Sequence, residues 1–239
     1  MGFEWDCSKC ATSPDLKGTV VIQFWDSTQH RSQGYVGYRK DSHEIIVAFR
    51  GTTNLSEMLN NLKFSLVDWN GAGSGAKVHS GFSAAYTSAA NIVRTSIDGL
   101  LKKDSQAKVV FVGHSLGGAQ ASLAAADFVF RYPTLKTKVS LYTFGQPRVG
   151  NPVFANWMDR QDFPVFRVVH RTDLVSQLPP QVPIKAVEYQ HHSEEVFYPL
   201  SGQLTFCGKN NPESDNCQNS VSTKQLSTTD HINYPGMEH

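Results

Sequence analysis

The 239-residue sequence predicts an α/β fold, a mostly parallel central sheet with helices on both faces. Six short runs rich in β-branched and aromatic residues read as strands, and the later ones are separated by long stretches of helical periodicity. Strands that follow one another directly pair antiparallel, whereas strands separated by a helix pair in parallel, so the pattern describes an antiparallel start leading into a parallel sheet.

In chain order the strand runs are Thr19 to Trp25, Tyr35 to Arg39, Glu44 to Arg50, Lys108 to Val112, Val139 to Phe144 and Val165 to His170. Helical spacing appears in Ala85, Tyr86, Ala89, Ile92, Val93, Ile97, Leu100 and Leu101, and again in Leu116, Ala119, Leu123, Ala126 and Val129. A third helix is expected after Asn151, whose side chain can cap it, with Pro152 at the first position where a missing N–H costs nothing. Gly71 to Ala76 reads as the mobile end of the segment before it and is too short to be a linker between domains, so residues 1–239 are expected to form one domain.

Lys and Arg total 22 against 21 Asp and Glu, a formal charge of +1 with no basic run able to track phosphates, which disfavours nucleic acid as a partner. No stretch approaches 18 uninterrupted apolar residues, and the first twenty lack a signal-peptide pattern. Cys7 with Cys10 and Cys207 with Cys217 admit a zinc site, two disulfides or free thiols. Zinc would require the pairs to converge from opposite ends of the chain. The polar loop between Cys207 and Cys217 suits a disulfide staple, so disulfides and a secreted, extracellular protein are the expectation. Asn54-Leu55-Ser56 is a weak supporting glycosylation sequon.

Gly113-His114-Ser115-Leu116-Gly117 matches G-x-S-x-G, which a chain of this length shows by chance in roughly one case in ten. Its context decides the matter: Val109 to Val112 is a buried-strand run ending at the motif, and a helical pattern starts directly after it. Such a turn strains the serine backbone and holds its hydroxyl out at the carboxyl edge of the sheet, above a helix N-terminus. Nucleotide-binding loops would need further glycines or a following lysine, and neither is present. A serine nucleophile on this fold needs an acid and then a histidine after later strands. Asp173 follows the strand ending at His170, and His231 lies near the chain end, with Asp230 as the alternative acid. Among the other histidines, His191 and His192 read as solvated, and His114 as structural and pointing away from the serine. No H-E-x-x-H or comparable cluster suggests a metal, and no cofactor is called for.

After Thr52, Leu55, Met58, Leu59 and Leu62 fall at i, i+3, i+4 and i+7, opposite Ser56, Glu57, Asn60, Asn61 and Lys63. This is a short amphipathic helix. Exposing four such side chains to water would cost about 6 kcal/mol as an upper bound, a cost that a lipid surface cancels.

The chain resembles the filamentous-fungal class 3 lipases of the Rhizomucor, Rhizopus and Thermomyces type over nearly its whole length. The matching segments are Trp5-Asp6-Cys7 with Cys10, Phe49 to Thr52, Lys77 to Phe82, Gly113 to Gly118, Gly145 to Asn151, Leu178-Pro179-Pro180 and Asp230-His231. The resemblance implies an α/β-hydrolase fold and a catalytic triad of Ser115, Asp173 and His231. It also implies an oxyanion hole from the N–H groups of Thr52 and Leu116, a lid over about residues 53–66, and an acyl groove lined by Phe64, Val175, Leu178 and Ile232. Met58 stands where relatives often carry a lid tryptophan, and the last residues offer no cysteine for the long-range disulfide some relatives have. The implied activity is that of a monomeric triacylglycerol lipase with interfacial activation, in transient contact with a lipid–water interface. Rival readings are a feruloyl-type esterase, which tends to a polar lid in this family; a phospholipase A1, for which no segment resembles a cationic head-group site; and a non-catalytic lipid-binding module.

Overall fold

The computed structural model describes residues 18–236 apart from 53, 61–62, 182–186, 193 and 209–210. Eight strands form one sheet: β1 (Thr19–Ser27), β2 (Ser32–Arg39), β3 (Glu44–Phe49), β6 (Lys108–His114), β7 (Val139–Phe144), β8 (Val165–His170), β9 (Glu195–Tyr198) and β10 (Thr205–Cys207), side by side in that order. β1, β2 and β3 pair antiparallel, β3 through β9 pair in parallel, and β10 returns antiparallel to β9. The two C-terminal strands lie beyond the six runs that periodicity identifies. They are short and polar at their ends, so they carry too little alternation to stand out. A separate two-stranded ribbon joins β4 (Leu66–Asp68) to β5 (Lys77–His79).

Of the five α-helices among the described residues, α1 (Leu55–Asn60), α4 (Pro152–Arg160) and α5 (Thr229–Ile232) are short, while α2 (Ser80–Lys103) and α3 (Leu116–Arg131) are long. α2 buries Phe82, Tyr86, Ala89, Val93, Ile97 and Leu100, a single stripe at helical spacing. α3 is buried on every side from Leu116 to Val129, and its small residues, including Ala119, Ala124, Ala125 and Ala126, let sheet and neighbouring helix approach closely. The two helices are also joined by polar contacts. Arg94 on α2 donates to both oxygens of Asp127 on α3 (2.8 and 2.6 Å), and Tyr86 Oη donates to the same carboxylate (2.8 Å). Asn151 caps α4 through its Oδ1, which accepts from Phe154 N at 3.1 Å.

The Gly71 to Ala76 stretch is tied down at both ends. Trp69 N donates to Ala76 O (2.8 Å), Asn151 Nδ2 donates to Gly75 O (2.8 Å), and Ala76 is buried. Gly73 and Gly75 take φ of 82° and 87°, which the turn requires and side chains resist. Cys207 and Cys217 form a disulfide, removing the zinc reading for that pair, while Cys7 and Cys10 lie outside the described residues. No helix among the described residues is long and apolar enough to cross a membrane.

His79 opens α2. Its Nδ1 accepts from Gly81 N (3.1 Å) and Phe82 N (3.3 Å), and its ring stacks on Phe82 at 4.0 Å. Burial holds this imidazole down at about 4 from its ordinary 6.5. Between those pH values the unfolded chain binds a proton that the folded one refuses, so stability falls as pH drops from 6.5 toward 4 and levels off below. The share of His79 across that window is about 3 kcal/mol. We expect His79→Ser, which keeps an oxygen at the cap, to flatten urea-derived stability over this range. A slope as steep as the wild type's would contradict the assignment.

Candidate active site

Ser115 sits between β6 and α3 with φ 56° and ψ −128°, a conformation that costs a non-glycine residue about 1–3 kcal/mol. The glycines on either side make the turn possible. A Cβ on Gly113 would lie 2.3 Å from Gly117 O, and one on Gly117 would lie 2.2 Å from Phe49 O on β3. Ser115 N donates to Phe144 O (2.9 Å), which fixes the turn against the end of β7. The Ser115 Oγ is buried and makes no hydrogen bond with the described residues.

Asp173, fully buried in the loop after β8, faces His231 on α5. His231 Nδ1 lies 2.9 and 3.0 Å from its two oxygens. With Nδ1 donating, the lone pair of the ring is left on Nε2, which is buried and unpartnered like the serine hydroxyl. The carboxylate is held from two further sides, by Val175 N on Oδ1 (2.8 Å) and Tyr234 Oη on Oδ2 (2.6 Å). Tyr234 Oη in turn accepts from His170 N (3.2 Å). Burial and the neighbouring carboxylate push the Tyr234 phenol far above its ordinary range, which keeps it a donor. Asp230 does not face this ring; its Oδ2 accepts from Thr172 N (3.1 Å) and Thr172 Oγ1 (2.5 Å).

Two contacts bring the histidine and the serine turn together. The His114 ring stacks on His231 with centroids 4.5 Å apart, and its Nε2 donates to His231 O (2.8 Å). Gly145, at φ 57°, is the other contact: a Cβ there would lie 2.6 Å from Asp173 Oδ2 and 2.8 Å from His231 Nδ1. His114 therefore has a structural role, packing on the histidine across 117 positions of sequence, a contact that local pattern does not reveal.

Gly51 abuts the elbow, where a Cβ would meet His114 O at 2.9 Å and Ser115 Cβ at 3.3 Å, so Thr52 follows beside the serine while Leu116 follows it in sequence. Asn54 caps α1 reciprocally: its Oδ1 accepts from Glu57 N (3.0 Å) and its Nδ2 donates to Glu57 Oε2 (3.1 Å). Met58 is buried, and Leu55 and Leu59 pack against the main core; Leu62 lies outside the described residues. Beneath the helix is a cavity of about 190 Å³ lined by Met58, Phe82, Ala85, Leu116, His79 and Lys63 among others.

None of the four residues expected in an acyl groove lines that cavity. Val175 is a core residue whose amide supports Asp173, Ile232 is 45% exposed, and Phe64 and Leu178 are half-buried elsewhere. His191 and His192, expected in solvent, are both buried. His191 N donates to Glu213 Oε1 (2.8 Å) and its Nε2 to Ser176 O (2.7 Å), while His192 Nε2 accepts from Gln146 Nε2 (3.1 Å). These partners come from distant segments, so a reading of local polarity could not place the two rings indoors. Tyr234 is a site residue that pattern reading missed; its signal is an aromatic three positions after His231, just past the end of α5.

A family model described as lipase (class 3) matches residues 46–182. The lipase of Rhizopus niveus is 33% identical over 235 residues, 98% of this chain, and the chain spans 58% of that relative's length. The solved structure of lipase II from Rhizopus niveus superposes with a TM-score of 0.88 at 32% identity, covering 97% of this chain and 84% of that one. A solved triacylglycerol lipase described as having a serine protease triad as its catalytic centre is 33% identical, with a TM-score of 0.86 over 97% of this chain and 85% of its own. A strained serine turn, a buried acid–histidine pair and these likenesses together place the chain in the class 3 lipase family.

Proposed function

We propose that this chain is a secreted triacylglycerol lipase that hydrolyses ester bonds through an acyl-enzyme on Ser115. The observation that carries the reading is the buried Asp173–His231 pair stacked against the residue before a strained serine. His231 Nε2 takes the Ser115 hydroxyl proton as Oγ attacks the ester carbonyl carbon. The resulting oxyanion is met by the N–H groups of Thr52 and Leu116, each donor worth about 3 kcal/mol in the transition state. Collapse expels the alcohol, which receives the proton from Nε2. Water, deprotonated by the same nitrogen, then attacks the acyl carbon; the acyl–Oγ bond breaks, Ser115 Oγ takes the proton back from Nε2, and the fatty acid is released. Asp173 keeps Nδ1 protonated and offsets the imidazolium charge.

Met58, Leu55 and Leu59 form the apolar underside of a lid that shuts this machinery in water, and the cavity walls of Met58, Phe82, Ala85 and Leu116 suit an alkyl chain better than a ring bearing hydroxyls. The Cys207–Cys217 disulfide supports an oxidising, extracellular setting.

A fluorophosphonate probe is expected to label the wild type and to leave Ser115→Ala unlabelled; equal labelling of both would overturn the nucleophile. Tributyrin hydrolysis should jump as the substrate passes its solubility limit, and a smooth saturation curve would count against the lid. Tyr234→Phe should lower kcat about tenfold with KM little changed, the equivalent of one lost hydrogen bond to a charged group. A change confined to KM would contradict an orienting role.

A further inference from the structure

Two cavities meet at Arg31. One, of about 240 Å³, lies beside Thr52 and is lined by Asp26, Arg31, Gln33 and Arg50 among others; the second is the cavity beneath the lid, where Arg31 is joined by Lys63. Among the described lining residues of both, three cations stand against one carboxylate, Asp26, in a chain whose formal charge is only +1. Arg31 is held there at a cost. Its φ of 54° is unusual for a side chain of that size, and its carbonyl is fixed by Gln120 Nε2 of α3 at 3.4 Å. In the closed form its guanidinium pairs with Glu57, the lid carboxylate that Asn54 also holds. Arg50 donates to the neutral side chain of Gln33 and forms no ion pair among the described residues. Gln33 also contacts Asp26 (3.2 Å), so the lone acid of the cavity is partly engaged by that amide.

A lid clasp alone does not account for this arrangement. Exposed ion pairs contribute about 0–1 kcal/mol, little beside the apolar burial that already closes the helix, and Arg50 makes no ion pair with the described residues of the lid. When α1 lifts, Glu57 leaves with it and Arg31 faces the site without its counter-charge. Resting on the ester-hydrolase reading above, we infer that Arg31 and Arg50 form a binding site for the anionic group of a lipid, a phosphate or a carboxylate, vacated by Glu57 as the lid opens. Guanidinium groups suit both anions, since each offers paired oxygens to a fork of N–H donors. The site lies on the Thr52 side of the serine, so an ester bearing an anionic head group is positioned with its acyl chain toward Leu116 and Met58. This is the cationic feature that no contiguous segment displays, because Arg31 lies just before β2 and Arg50 just after β3.

The test compares dihexanoyl phosphatidylglycerol with neutral dihexanoyl glycerol, both as monomers, and reads the ratio of their kcat/KM values. Arg31→Asn removes the charge while suiting the positive φ, and Arg50→Gln removes the second charge. Each is expected to lower the anionic-to-neutral ratio about fivefold, with the loss shrinking in high salt. Glu57→Gln should shift the ratio the other way. A ratio unmoved by both arginine substitutions overturns the proposal. Inhibition of dihexanoyl glycerol hydrolysis by inorganic phosphate and by hexanoate separates the sources: loss of phosphate inhibition in the double variant assigns a head group, and loss of hexanoate inhibition assigns the product acid. If the wild type hydrolyses neither ester, the ester-hydrolase reading has failed, and calorimetric binding of dihexanoyl phosphatidylglycerol to Ser115→Ala judges the site alone. Binding lost with both arginines supports it, and equal binding without them refutes it.

Discussion

Everything at this site depends on backbone approaching backbone more closely than any side chain permits. At Gly113 and Gly117 the strand, the turn and the first turn of α3 come within a Cβ's reach of one another's carbonyls, and at Gly145 the end of β7 leaves just enough room for Asp173 and His231. If any of the three contacts is widened, the serine moves relative to the imidazole. The strain at Ser115 persists because the sheet on one side and a fully buried helix on the other leave it no relaxed alternative.

That crowding sets an electrostatic problem. A carboxylate with no exposed surface is costly unless its oxygens are met by donors, and Asp173 receives three, from an imidazole, a phenol and a backbone amide. The same donors fix its orientation, so solvation of the acid and alignment of the base are achieved by one set of contacts. Gln218 adds to this from beside the disulfide, its side chain donating to Asp173 O (2.6 Å). Around the neighbouring cavity the logic is reversed: apolar Met58 is buried, while Arg31 and Glu57 stay partly exposed.

Much of this was legible in sequence because local patterns encode it. The six strand runs, both long helices, the Asn151 cap and the amphipathic α1 each follow from spacing within a few residues, and the serine turn follows from glycines two positions either side. The order of serine, acid and histidine follows from the resemblance and from strand ends. Illegible were contacts made across the fold. Tyr234 reaches Asp173 from 61 positions away, and His114 stacks on a ring 117 positions along. The burial of His191 and His192 depends on partners as far apart as Ser122, Gln146, Ser176 and Glu213. Nearness in sequence does put Val175 beside Asp173, through its amide, while its side chain is buried in the core and Ile232 stays 45% exposed.

The distribution of the site along the chain has a consequence for how the protein is made. A ribosome delivers the serine turn, its glycines and the helix behind it well before the segment bearing Asp173, and the histidine with its tyrosine emerges later still. In the proposed mechanism the serine has no base to activate it until that last segment is made. Hydrolysis then depends on the docking of the short helix that carries His231.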